Sequence, residues 1–182
     1  TVYDTIGMDT MDFSAVDVPL TFTLGSVVVS DGLGNVATHG GNEIEILIGG
    51  KDDDRFVFSA NGVTLAGGIG TIDGRGGVNS LDYSAYTDGV TVNLVSGTAT
   101  GTAGIRNIRD LIGGSGNDSL SADSQNNILR GNAGNDILDG GAGVDTLDES
   151  TTSLDLNIDL SLTTQQNTGR GLDTITNIEN LM

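Results

Sequence analysis

Four consecutive blocks of nine residues hold the chemistry this sequence offers: 113–121 GGSGNDSLS, 122–130 ADSQNNILR, 131–139 GNAGNDILD and 140–148 GGAGVDTLD. Their sixth place is Asp118, Asn127, Asp136 and Asp145, and their eighth is Leu120, Leu129, Leu138 and Leu147. Glycine at the first, second and fourth places lets the backbone take positive φ and turn sharply, so that carbonyl oxygens converge. The sixth-place carboxylate adds an anionic oxygen to that ring. Such an oxygen-only donor set suits Ca2+, since Mg2+ tends to keep its waters and Zn2+ favours His and Cys. The chain has one His, His39, and no Cys. Charge also calls for a cation. Carboxylates one strand spacing apart, about 4.8 Å, repel by roughly 3.5 kcal/mol at an effective dielectric of about 20. A total stability of about 5–15 kcal/mol does not absorb several such pairs.

These turns need elements to position them, and the period itself supplies the expectation. A fixed nine-residue repeat predicts a solenoid, in which each unit buries its apolar residue against its neighbours. Weaker copies occur at 40–48 GGNEIEILI, 49–57 GGKDDDRFV and 74–82 GRGGVNSLD. A longer period lies over the short one, because 7–14 GMDTMDFS, 77–84 GVNSLDYS and 143–150 GVDTLDES correspond. After each of these comes an alternating stretch, 20–24 LTFTL, 90–94 VTVNL and 156–160 LNIDL, which predicts a half-buried strand. Each copy then closes on a related phrase: 43–50 EIEILIGG, 107–114 NIRDLIGG and 177–182 NIENLM. The chain thus reads as one continuous solenoid of three segments, 1–70, 71–136 and a partial 137–182. It opens mid-pattern, and Gly-Gly is expected to follow Met182, as in a longer array. Gly, Asn, Asp and β-branched residues interrupt every helical window, so the fold class is all-β.

Composition narrows the function. The formal net charge is −18, which repels phosphate backbones and anionic membranes and sets nucleic acid aside as a partner. All but four of the 25 acids are Asp, the shorter carboxylate that suits turns and compact ion sites. No apolar run is long enough for a membrane span. Lys51 in GGKDDD is followed by Asp52 rather than Ser or Thr, so this is no phosphate loop. No GxSxG or HExxH constellation occurs, and His39 reads as a loop residue rather than a base. Asp82, Asp139 and Asp148, outside the sixth place, are expected on a solvated face. Phe13, Tyr83 and Tyr86 are too few to suggest a sugar-stacking strip.

The nine-residue blocks resemble the RTX, or hemolysin-type, calcium-binding repeat GGxGxDxUx. The resemblance is strong over 113–148, fair over 40–84 and weakest over 15–39 and 151–176. It implies a right-handed parallel β-roll or β-helix in which turns eighteen residues apart stack and share Ca2+. Sites of the family take carbonyls from the first and third places and the Asp of one turn. The next turn adds carbonyls from its second and fourth places and its own Asp. Carried over, one site uses Gly113, Ser115 and Asp118 with Asn132, Gly134 and Asp136. A second uses Ala122, Ser124 and Asn127 with Gly141, Gly143 and Asp145, and should be weaker because its first turn has lost its glycines and its Asp. A third joins Gly49, Lys51 and Asp54 to Gly68, Gly70 and Asp73. The phrases between the turns also resemble those leading into the β-rolls of secreted serralysin-type proteases and large bacterial adhesins.

The resulting expectation is a non-enzymatic, calcium-binding structural module of a secreted or cell-surface bacterial protein, such as an adhesin, stalk, surface layer or filament, which folds on binding several Ca2+ ions. Its other partners would be further copies or a continuation of the same solenoid, joined head to tail. The alternative is the C-terminal calcium-binding part of a secreted protease, lipase or epimerase whose active site lies outside this chain.

Overall fold

In the computed structural model of the chain, residues 8–25, 27–39, 44–68 and 70–182 are described. The expectations that fall on residues 1–7 and 40–43 lie outside them. The described elements are short strands, apart from one 3-10 turn at Leu65–Gly68. An all-β chain follows from the sequence, since one buried aliphatic per nine residues sustains a strand of about three residues and glycine ends it.

The strands form three sheets. The largest runs in space from Asn180–Leu181 through Thr146–Leu147, Ile128–Arg130, Asp110–Ile112, Ser80–Asp82 and Arg55–Phe58 to Thr21–Leu24, and ends on the hairpin strands Val28–Ser30 and Val36–Thr38. A second sheet contains Asp9–Asp12, Ile44–Ile48, Thr71–Asp73 and Gly104–Arg106. The third is built around Thr91–Asn93, Ser119–Ser121, Ile137–Asp139 and Leu172–Thr176. Apart from hairpin strands, pairing is parallel, and it is in register except for a shift between Asp9 and Thr10. Leu81, Leu111, Leu129 and Leu147 align in one column, and Val92, Leu120, Leu138 and Ile175 in another. Within 113–148 the neighbours are eighteen residues apart, so every eighth-place leucine meets its equivalent. Leucines and isoleucines from all three sheets share one core.

The long period is visible as repeated hydrogen bonds. Ser14, Ser84 and Ser150 each donate their N–H to the carboxylate two residues earlier, on Asp12, Asp82 and Asp148. The residue between, Phe13, Tyr83 or Glu149, donates to Ile48 O, Ile112 O or Met182 O at 3.0, 2.8 and 2.8 Å. Each opening phrase is thereby laid beside the closing phrase of its own copy. In the first copy this happens on the four-stranded sheet, and in the other two on the nine-stranded sheet.

Aromatic residues thicken the amino-terminal layers. Phe22 stacks on Phe56 with ring centroids 4.6 Å apart, and Phe58 stacks on Tyr83 at 4.4 Å. After Tyr86 the chain has no aromatic residue, and the core of later layers is aliphatic.

Two expectations need correction. The stretch 156–160 LNIDL is not a strand, although Ile158 and Leu160 do pack against the core. Asn157 N–H goes instead to Thr168 O, and Asp159 N–H to the Gln166 side chain, within a local excursion that has no parallel neighbour. Asp82 and Asp148 are buried rather than solvated, paired with Arg55 and Arg130. Burial pushes the Asp148 carboxyl up, but hydrogen bonds from Ser150 and the charge of Arg130 outweigh it and hold it below the usual carboxylate range.

Stacked turns as candidate cation sites

The turn 113–118 stacks on 131–136. Asp118 N–H donates to Asp136 Oδ1 at 2.9 Å, Asn135 N–H to Asn117 Oδ1 at 2.8 Å, and Asn132 Nδ2 to Gly113 O at 2.7 Å. Gly134 has φ 122°, and a Cβ there would collide with Gly116 O, so this turn demands glycine at position 134 on both grounds. Asn132 departs from glycine at φ 68°, a conformation asparagine tolerates. On the connections at the other end of these strands, 122–127 stacks on 140–145. Asn127 N–H donates to Asp145 Oδ1 at 2.7 Å, Val144 N–H to Asn126 Oδ1 at 3.0 Å, and Ala142 N–H to Asp123 O at 2.9 Å. Gly141 and Gly143 lie against the carbonyls of Asp123 and Gln125. The turn partners expected for these two pairs are thus brought together; Ala122 is buried and Ser124 exposed.

The third pairing differs from expectation. Turn 49–54 stacks on 74–79: Asp54 N–H donates to Asn79 Oδ1 at 2.9 Å, Val78 N–H to Asp53 Oδ1 at 2.6 Å, and Gly76 N–H to Gly50 O at 3.2 Å. Gly68 ends the 3-10 turn, and Gly70 donates back to Leu65 O. The Asp73 carboxylate is engaged by Arg106, Asn107 Nδ2 and Arg75 N–H. Lys51 is exposed. The count of eighteen fails here because the connection 59–70 is not built of nine-residue units, which moves the equivalent turn to twenty-five residues on.

One further turn went unrecognised in the sequence. Residues 168–173 TGRGLD stack on 131–136, with Asp136 N–H to Asp173 Oδ1 and Leu172 N–H to Asn135 Oδ1, both at 2.8 Å. Its signal, glycine at the second and fourth places and Asp at the sixth, stands alone after the 149–167 excursion. The fifth place was also missed. Its side chain accepts the N–H of the next turn's fifth residue, while the sixth-place N–H is accepted by the next turn's sixth side chain. These reciprocal bonds staple 49–54 to 74–79, 113–118 to 131–136, 122–127 to 140–145 and 131–136 to 168–173.

Electrostatically these columns are acidic and enclosed. Burial pushes the carboxyls of Asp54, Asp118 and Asp145 above their usual range. The Asp136 carboxyl rises to about 7, mainly through burial, with Asp118, Asp173 and Glu149 adding charge repulsion. Among the described residues, no ion pair reaches Asp54, Asp118, Asp136 or Asp145. Asp145 Oδ2 and Asn127 Oδ1, in the same turn pair, are buried without a hydrogen-bond partner. No three His, Cys, Asp or Glu side chains converge among the described residues, so a cation would draw most of its ligands from carbonyls. Two orphaned side-chain oxygens beside carbonyl-lined glycine turns fit a hard, oxygen-seeking ion.

The raised Asp136 carboxyl gives a testable sign. Between about pH 4 and about pH 7 the metal-free fold holds a proton that the unfolded chain has released, so stability falls as pH rises through that window. The metal-free protein should therefore melt at a higher temperature at pH 5.5 than at pH 8. The extra stability conferred by calcium should shrink over the same descent, because protons and cations compete for the same oxygens. Thermal scans in chelator and in calcium at both pH values check this; a metal-free melting point that rises with pH would contradict it.

An all-β stack of glycine-rich turns, each contributing carbonyls and many a buried carboxylate, defines a cation-binding repeat module. The family model of the RTX calcium-binding nonapeptide repeat matches this chain in four copies, over residues 39–57 and 112–147. Over those two stretches the chain carries RTX repeats, which the family model describes as calcium-binding. Turns 74–79 and 168–173 lie outside the matched stretches. Comparison with curated proteins gives no match.

Proposed function

We propose that the chain is a structural calcium-binding module of a secreted or cell-surface bacterial protein, with the parallel sheets as walls of a right-handed β-roll or β-helix solenoid. Several ions would sit between stacked turns, with 113–118 and 131–136 holding one, 122–127 and 140–145 another, and 49–54 and 74–79 a third. Calcium supplies the positive charge that lets the sixth-place carboxylates stay ionised in the fold. The chain's own part is to aim carbonyls at that point and to hold the turns in register through the fifth- and sixth-place hydrogen bonds. The observation that carries this reading is the buried, unpartnered Asp145 Oδ2 beside Asn127 Oδ1, in a turn pair that the RTX model matches.

The module contributes no catalysis of its own. A stalk, adhesin or filament setting is favoured by the in-register stacking, since a column of equivalent layers lengthens by adding copies. Calcium titration followed by far-UV circular dichroism tests the reading: β signal should grow as calcium enters the millimolar range and shrink, without vanishing, in chelator, with magnesium much less effective. Identical spectra in chelator and in calcium would overturn it.

A further inference from the structure

Two sixth places hold asparagine, Asn79 and Asn127, and both side chains are spent on the same neighbour. That neighbour is the three-residue turn 107–109, which links Gly104–Arg106 to Asp110–Ile112. Because Asp110–Ile112 pairs with Ser80–Asp82 on one side and Ile128–Arg130 on the other, the short turn stands between 74–79 and 122–127. It contains no glycine and no acid, takes φ 55° at Asn107 and buries Ile108. Asn79 Nδ2 donates to Asn107 O at 2.9 Å and to Gly76 O, the third-place carbonyl of its own turn, at 2.7 Å. From the other side, Asn127 Nδ2 donates to Arg109 O at 2.7 Å. Both asparagines are 1% exposed. Asn79 Oδ1 meanwhile accepts Asp54 N–H, the ordinary service of the sixth place.

The Asn79 amide nitrogen bonds one carbonyl in its own turn and one in 107–109, and the Asn127 nitrogen bonds one in 107–109; such donors meet the need that a cation meets between acidic turns. A carboxylate at the same position has no hydrogen to give and would face those carbonyls with like charge. We propose that Asn79 and Asn127 form a metal-free joint, locking the short turn 107–109 to the turns on both sides and dividing this column into two separately loaded calcium sites, 49–54 with 74–79 and 122–127 with 140–145. Asparagine at the sixth place is then a specified residue of the joint rather than a decayed ligand. The joint lies beside Leu81, Leu111 and Leu129, in register, and Asn79 precedes by four residues Tyr83, which stacks on Phe58, an aromatic contact that the later layers lack. The inference rests on the reading of the acidic turns as calcium sites.

Amide hydrogen exchange of the whole 182-residue chain, in chelator and in millimolar calcium, tests it without any substitution. Amides of 104–112 should keep their protection in chelator, while those of 113–118 and 131–136 exchange at least about tenfold faster there than in calcium. In the double variant Asn79→Asp/Asn127→Asp, the 104–112 amides should exchange at least about tenfold faster than wild type in chelator, because the donors are gone. Loss of wild-type protection at 104–112 together with the acidic turns on chelation would overturn the joint, as would a double variant that exchanges like wild type. If calcium changes exchange nowhere in the wild type, the calcium reading falls, and the double variant in chelator still decides the joint.

Discussion

Replacing Asp136 by alanine should lower calcium affinity at least about tenfold, more than the same change at Asn127, which should stay within about threefold. Asp136 is the middle member of a three-turn column: its Oδ1 accepts Asp118 N–H, and its own N–H goes to Asp173 Oδ1. Alanine removes a charged ligand from the pair 113–118 and 131–136 and also strands the buried Asp118 N–H, at a cost of about 1–3 kcal/mol. Asn127 contributes at most a neutral oxygen, and its turn partner Asp145 keeps the carboxylate. Isothermal titration with calcium measures both variants. Equal losses at the two positions would show that the sixth place does not rank the sites in this way.

The second large effect concerns the aromatic layers. Phe56→Ala should destabilise the protein by about 3–5 kcal/mol, the usual range for emptying a buried phenylalanine site. Phe56 is fully buried, stacked on Phe22 and aligned between Phe22 and Leu81 in the nine-stranded sheet. The loss should be similar in chelator and in calcium, since it is a loss of packing. Denaturant unfolding followed by the fluorescence of the tyrosines, with Tyr83 and Tyr86 in the adjoining aromatic cluster, reads it. A loss seen only in calcium would tie these layers to the ion sites instead.

The short period was legible because it is enforced twice, by glycine where the backbone has no room for a Cβ and by leucine where columns meet in register. Residues 113–148 therefore fall where the spacing puts them. Counting failed wherever the chain leaves the nine-residue unit: the 59–70 connection shifted the partner of 49–54 to 74–79, and the 149–167 excursion concealed the turn 168–173. Alternation in 156–160 gave a correct inward face but no strand, since a strand also needs a neighbour with free backbone groups. The role of the fifth-place residues Asn117, Asn126, Asn135 and Asp53 was not legible, because nothing in a sequence says that a polar side chain will find the next turn's amide. Asp82 and Asp148 misled for a related reason: their partners Arg55 and Arg130 are 27 and 18 residues away, a proximity that only the stacking creates.

The parallel ladder of the large sheet also fixes how densely the molecule is charged. From Thr21–Leu24 to Asn180–Leu181 it has seven strands, a rise of about 29 Å at ~4.8 Å per spacing. The formal net charge of −18 spread over that rise is one charge per about 1.6 Å, close to the linear density of double-stranded DNA, about 1.7 Å per charge. At that density mobile counterions gather around the calcium-free column, and each bound Ca2+ displaces part of them. Calcium then arrives by exchange with sodium or potassium already held along the surface, and its apparent affinity belongs to the ionic strength of the medium as much as to the geometry of any single turn.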